Sequence, residues 1–297
     1  MRVFITGGTG FVGTAVVQEL IRSGHEVIGL ARSESASASL TEAGAEVHRG
    51  DLENLESLRS GAESADGVIH CGFIHDFSRF EEVCKVDGLA IEAMGAVLLN
   101  TNKPLIITSG TALVSPGQIA TEEISPPFAP SGFPRASEEA GRLFAERGVR
   151  VITVRLSPSV HGDGDHGFVP SLIGLAREKG ASAYVGEGLN RWTAVHRLDA
   201  GVLYRLALEH GAPGSKFHGV AEEGIPFRDI AEAIGKGLNV PVVSKSPEEA
   251  AEHFGWFAGF AGLDCPASSK LTRERLSWIP THCSLVQDLE SGTYFSG

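Results

Sequence analysis

The chain has 297 residues, 42% of them hydrophobic and 21% charged, proportions that give a folded globular protein an ample core and exclude wholesale disorder. Acidic residues outnumber basic ones 37 to 25, for a formal net charge of −12. Such a balance repels phosphate backbones and anionic lipids, and so argues against nucleic-acid and membrane partners. Four cysteines without a C-x-x-C pair make neither a disulfide framework nor a zinc site, and no apolar run reaches the roughly 18 residues that span a bilayer. The chain leads straight into a strand-like run with no basic and apolar leader before it, so a cytoplasmic protein is expected.

Apolar β-like runs alternate with helical stretches from the N-terminus. Strands are expected at Arg2–Thr6, Glu26–Leu30, Glu46–His48, Gly67–His70, Leu105–Thr108 and Val149–Arg155. Helices are expected over Thr14–Ser23, Leu55–Ala62 and about Phe80–Leu99, because apolar residues recur there at helical spacing. The Ser/Ala run Ser33–Leu40 reads as a polar surface turn, and the proline-rich stretch Ser115–Gly132 as a functional loop. Beyond Arg155 the composition turns to Gly, Pro and His over Ser157–Gly188, and helical spacing returns at Ala200–Glu209, Phe227–Leu238 and Pro247–Phe254. The expected fold is α/β: a Rossmann-type doubly wound parallel sheet built mainly from residues 1–156, with a smaller mixed C-terminal lobe, 157–297, that binds substrate and lends some segments to the main sheet.

Between the first strand and first helix stands Thr6-Gly7-Gly8-Thr9-Gly10-Phe11-Val12-Gly13. Gly7 permits a tight turn, Gly10 admits a pyrophosphate to the backbone, and Gly13 lets the helix pack closely on the sheet. The unpaired N–H groups of the first helical turn and the helix dipole both favour an anion there. A dinucleotide is the expected ligand, held by Gly7, Thr9, Gly10, Phe11, Val12 and Gly13. After the second strand the chain reads Gly29-Leu30-Ala31-Arg32-Ser33 and has no acid before Glu34. An acid there would hold a ribose 2′-hydroxyl; Arg32 and Ser33 suit a 2′-phosphate instead, so NADP is expected over NAD. Gly50-Asp51-Leu52 places Asp51 near the adenine amino group.

These residues resemble the short-chain dehydrogenase/reductase superfamily in its extended branch, the NAD-dependent epimerase/dehydratase group, nearly end to end. The glycine turn matches that family's cofactor turn, and Asp51 and Leu52 its adenine contact. Val68-Ile69-His70-Cys71-Gly72 resembles the motif that passes under the cofactor, which implies roles for Cys71 and Gly72. Val154-Arg155-Leu156-Ser157-Pro158-Ser159-Val160-His161-Gly162 resembles the segment running past the nicotinamide, which implies Pro158 and Val160. Trp192 to Ala200 is similar to a Val-His-x-x-Asp stretch, and Arg275-Leu276-Ser277-Trp278-Ile279-Pro280 to a C-terminal Leu-Gly-Trp-x-Pro pattern.

The resemblance also implies a Tyr, a Lys four residues later, and a Ser or Thr at the end of strand five as the proton-handling groups. Thr111 falls at the hydroxyl position, with Ser109 a second candidate. The Tyr and Lys positions correspond to Phe133 and Ser137 in one frame and to Ser131 and Arg135 in another. Neither pair can do that chemistry, and the three tyrosines, Tyr184, Tyr204 and Tyr294, lie elsewhere. The expected activity is NADP(H)-dependent carbonyl reduction or its reverse on a small substrate. Thr111 would polarise the oxygen, Arg135 would replace the lysine's charge, and His161 or His166 would be a candidate proton donor. A cofactor-binding redox sensor and a non-redox epimerase or isomerase are the alternatives.

Other signals have milder readings. Asp163, Asp165 and His166 lack a rigid element to fix them as metal ligands, and no metal is expected. In that polar Gly/Asp loop the favoured reading of His161 and His166 is structural, as hydrogen-bond partners of backbone carbonyls. Cys71, flanked by His70 and His75, reads as a packed thiol rather than a nucleophile. His253-Phe254-Gly255-Trp256-Phe257-Ala258-Gly259-Phe260 forms either a structural helix face or an aromatic roof over an apolar, ring-containing substrate. Trp192 and His196 suit the same crevice, and Asp199 reads as the cap of the helix starting at Ala200. The expected partners are a small-molecule substrate and a second copy in a homodimer.

Overall fold

The structure, a computed structural model, describes residues 1–125 and 136–295. The first half runs β1 (Arg2–Thr6), α1 (Phe11–Arg22), β2 (Glu26–Ala31), α2 (Glu34–Glu42), β3 (Glu46–Arg49), α3 (Leu55–Glu63), β4 (Gly67–His70), α4 (Phe80–Val97), β5 (Pro104–Gly110), α5 (Ser137–Glu146) and β6 (Arg150–Leu156). All six expected strands are present. The stretch Ser33–Leu40 is a correction: it is not a turn but most of α2. The Ser33 side chain caps that helix by accepting from Ala36 N at 3.1 Å, and Leu40 is buried to 1% exposure. A serine N-cap and one apolar anchor outweigh the weak propensity of the serines that follow.

The second half runs β7 (Ser159–His161), α6 (Phe168–Lys179), β8 (Ser182–Val185), β9 (Arg191–His196), α7 (Arg197–His210), β10 (Lys216–Gly219), β11 (Glu222–Pro226), α8 (Phe227–Leu238), β12 (Val242–Lys245), α9 (Pro247–Phe254), α10 (Ala258–Ala261), α11 (Lys270–Leu276) and α12 (Leu285–Ser291). Helix α6 went unseen in the Gly- and His-rich stretch; Val169, Leu172, Ile173 and Ala176 supply its buried face.

The main sheet has seven parallel strands in the order β10-β6-β5-β4-β1-β2-β3. Strand β10 returns from the C-terminal half to pair with β6. Apolar residues of α1 and α7 cover one face, and those of α3, α4 and α5 the other. Both faces are thus dry, as the near-continuous apolar strands require. The strand order reverses between β1 and β4, and that reversal opens a crevice at the carboxyl ends. The smaller lobe carries the three-stranded sheet β11-β9-β7 and the pair β12-β8 around a separate apolar cluster. Among the described residues no helix is long and apolar enough to cross a membrane.

Asp199 is a second correction. Helix α7 begins at Arg197, and its N-cap is His196, whose Nδ1 accepts from Leu198 N at 3.3 Å. Asp199, 2% exposed, instead accepts from Thr281 N at 3.0 Å, His282 N at 3.1 Å and His282 Nδ1 at 2.8 Å. It pins the C-terminal segment to the main sheet's helix layer. Replacing Asp199 by Ala would strand these donors, and a loss of about 3 kcal/mol in unfolding free energy is expected in chemical denaturation.

Candidate cofactor and substrate site

Residues at the carboxyl ends of β1 and β4 touch almost backbone to backbone. Gly7 has φ +70°, and a Cβ on it would lie 2.7 Å from Gly72 Cα. A Cβ on Gly13 would lie 1.9 Å from the Gly7 carbonyl oxygen. The turn is closed by Gly10 N donating to Gly7 O at 2.9 Å. Gly10 is the N-cap of α1 and has no side chain to satisfy the first N–H groups; no acid stands in the first turn, and Thr9 and Gly10 are exposed. Bare glycine backbone leading to an uncapped, solvent-facing helix N-terminus fits the phosphates of a dinucleotide.

The other expected cofactor residues lie around this cradle. Arg32 is exposed just past β2, and the Ser33 hydroxyl is engaged as the α2 cap. Glu34 is ion-paired with Arg49 at the end of β3. Asp51 is exposed and accepts from Glu53 N and Asn54 N, both at 2.9 Å, while Leu52 lies against Gly72. Cys71 follows β4; burial pushes its thiol up to about 12 despite hydrogen bonds with Thr108 and Tyr204, so it packs rather than attacks. Pro158 and Val160 are half-buried on either side of Ser159, just beyond β6.

At β5 the two candidate hydroxyls differ sharply. Thr111 is 1% exposed, and its Oγ1 lies 3.4 Å from Leu156 O and 3.2 Å from Thr193 Oγ1. Ser109 is half-buried and donates to the Glu138 carboxylate. Glu138 also receives a two-pronged bond from Arg155, at 2.8 and 2.7 Å, whose side chain is wholly buried and reaches Ile124 O at 2.9 Å. Burial alone would raise the Glu138 carboxyl, but the Arg155 guanidinium and Ser109 outweigh it and hold it below the usual carboxylate range. The role of Arg155 was missed, though an arginine inside the apolar strand Val151–Leu156 is a signal that something must neutralise it.

Ser137, which stands at the lysine position in one frame, is fully buried at the start of α5 and donates to Asp87 Oδ2. Asp87 Oδ1 lies 3.2 Å from His70 Nε2, His70 Nδ1 lies 2.7 Å from Thr6 Oγ1, and Gly72 N donates to Thr6 Oγ1 at 3.1 Å. A buried polar chain thus ties α5 to the glycine turn. Phe133, Ser131 and Arg135 lie outside the described residues.

Residues 3–218 match the model of the NAD-dependent epimerase/dehydratase family. The chain belongs to this family. It is 52% identical over 297 residues to an uncharacterised protein of Schizosaccharomyces pombe, spanning 99% of this chain and 100% of that one. It is 28% identical over 266 residues to a 2-alkyl-3-oxoalkanoate reductase of Stenotrophomonas maltophilia, covering 83% and 78% of the two chains. Its fold matches the dTDP-glucose 4,6-dehydratase DesIV of Streptomyces venezuelae, solved with NAD bound, at a TM-score of 0.76 and 17% identity over 99% of this chain and 96% of that one.

In this epimerase/dehydratase chain the loop after β7 folds over the start of α1. His166 is exposed and meets the Phe11 ring edge-on at 5.7 Å; its Nδ1 lies 3.2 Å from Gly164 O. Asp165 accepts from Gly167 N at 2.7 Å and from Tyr294 OH at 3.0 Å, and Asp163 from Thr293 Oγ1 at 3.1 Å. His161 is shut away from solvent, with Nδ1 2.8 Å from Asp288 Oδ2. His196 stacks on His282 at 4.5 Å, and burial beside His161 and His282 lowers its pKa to about 4. Trp192 is a core residue, 1% exposed, and donates to Phe260 O at 3.2 Å. Of the aromatic stretch, Phe254 and Phe257 are buried, Phe260 is half-buried and Trp256 is 61% exposed. Replacing Gly13 by Ala should force α1 off the turn; calorimetry should show NADP and NAD binding weakened by at least about tenfold, with the far-ultraviolet dichroism of the sheet retained.

Proposed function

We propose that the protein is an NADP-dependent reductase, working on the carbonyl or hydroxyl carbon of a small apolar substrate, aromatic ones included. The observation that carries the cofactor choice is the end of β2. There Arg32 stands exposed where an acid would bind a ribose 2′-hydroxyl, and the first acid after it, Glu34, is paired with Arg49. A 2′-phosphate at this corner is matched by guanidinium groups rather than repelled by a free carboxylate.

When bound, the cofactor supplies or receives hydride. Ser109 is the strand-five hydroxyl assigned to the substrate oxygen, because Thr111 is buried against Leu156 and Thr193. With Glu138 held ionised by Arg155, the Ser109 O–H rests on the carboxylate and turns to donate to a substrate carbonyl oxygen, and the proton that this oxygen takes up as hydride arrives comes from solvent water. Glu138 therefore orients and does not donate a proton near neutral pH. Ala112, next to Thr111, packs against the cluster that holds Phe168, Trp192, Phe257 and Phe260, which suits an apolar substrate. The reductase of Stenotrophomonas maltophilia, named for an alkyl-oxoalkanoate, supports a ketone as the reacting group.

Calorimetry should give NADP at least about tenfold tighter binding than NAD, and Arg32→Ala should abolish that ratio; an unchanged ratio removes the argument from Arg32. Incubation with NADPH and a panel of aromatic and aliphatic ketones should show turnover. Ser109→Ala should then lower kcat by about a hundredfold without weakening NADP binding. Tight NADP binding with no turnover across the panel would point to the redox-sensing alternative.

A further inference from the structure

Helix α1 has no side-chain cap and no acid in its first turn, so its N-terminus presents uncompensated positive potential. A guanidinium on the flank of its first turn adds to that potential. The Arg197 guanidinium carbon lies 4.8 Å from the centre of the Phe11 ring, and Nη2 donates to Thr14 Oγ1 at 2.7 Å, one helical turn beyond Phe11. Nη1 donates to the Asp163 carbonyl at 2.8 Å. Both acceptors are neutral. Among the described residues no carboxylate lies within salt-bridge distance of Arg197, and its Nε is buried without a hydrogen-bond partner. The Asp163 carboxylate attracts it only from a distance and accepts from Thr293. Burial accordingly lowers the Arg197 pKa.

A half-buried guanidinium held without a counter-charge beside a helix N-terminus is electrostatically incomplete, and an anion between them removes both penalties. We propose that Arg197 is a further cofactor-binding residue, a clamp that pairs with the pyrophosphate of the dinucleotide at the α1 N-terminus. The proposal rests on dinucleotide binding at the glycine turn and is independent of the choice between NADP and NAD. Arg197 leads α7, so the clamp comes from the C-terminal half of the chain, and the hydrogen bond to Asp163 ties it to the loop after β7.

The test measures ADP binding by calorimetry, and adenosine binding by ligand-observed NMR, in the full-length protein and three variants. Arg197→Met should weaken ADP about tenfold and leave adenosine within about twofold. Arg197→Lys, which keeps the charge, should recover most of the ADP affinity. Thr14→Val cuts the bond to α1 but leaves the guanidinium, and should leave ADP affinity within about twofold. The clamp is overturned if Arg197→Met leaves ADP binding unchanged, if ADP and adenosine weaken equally, or if Thr14→Val weakens ADP as much as Arg197→Met, which marks a structural tether. Wild-type protein that binds neither ADP nor NADP would instead overturn the cofactor reading itself.

Discussion

The close approach of bare backbone at the β1–α1 turn is the contact on which the site depends. With Gly7 against Gly72 and Gly13 against the Gly7 carbonyl, no side chain fits between β1, β4 and α1. The same absence of side chains leaves the first turn of α1 uncapped and open to solvent. Packing and ligand binding are thus one requirement here: what lets the helix sit close to the sheet also exposes its unpaired N–H groups to phosphate.

Around that turn the protein buries two connected chains of polar groups. One chain runs from Gly72 N through Thr6, His70 and Asp87 to Ser137. A second joins Ser109, Glu138, Arg155 and Ile124 O. Both reach α5: the first ends on Ser137 and the second passes through Glu138. Buried groups satisfied in this way hold their side chains in one geometry, and the start of α5 is fixed from two sides. The second chain is what holds the Glu138 carboxyl below the usual carboxylate range.

The C-terminal half contributes differently. It closes the main sheet with β10, covers one face with α7, and lays the loop after β7 over Phe11. Of the two histidines expected as proton donors, His161 is buried against Asp288 and His166 meets Phe11, while His196, expected to line the crevice, stacks on His282. Asp288 and His282 come from the last turns of the chain, so these contacts assemble only once the C-terminus has docked.

The alternation of short apolar strands with helical spacing by itself determined the doubly wound sheet, since both faces must be dry, and the glycine spacing marked the turn that fits a dinucleotide's phosphates. Those are local properties, set by period and by single residues. Local reading failed where tertiary contact decided. Leu40 reaching Gly29 made a helix of a serine-rich run. That the C-terminal half lends a segment to the main sheet was legible, but which segment, β10, was decided by its pairing with β6. Asp199 was claimed by Thr281 and His282 rather than by its own helix. The same holds at the site, where Thr111 and Ser109 look alike in sequence. Only the folded chain, by burying one against Leu156 and placing Glu138 and Arg155 beside the other, separates their surroundings, because burial and charge pairing are set by residues far apart in the chain.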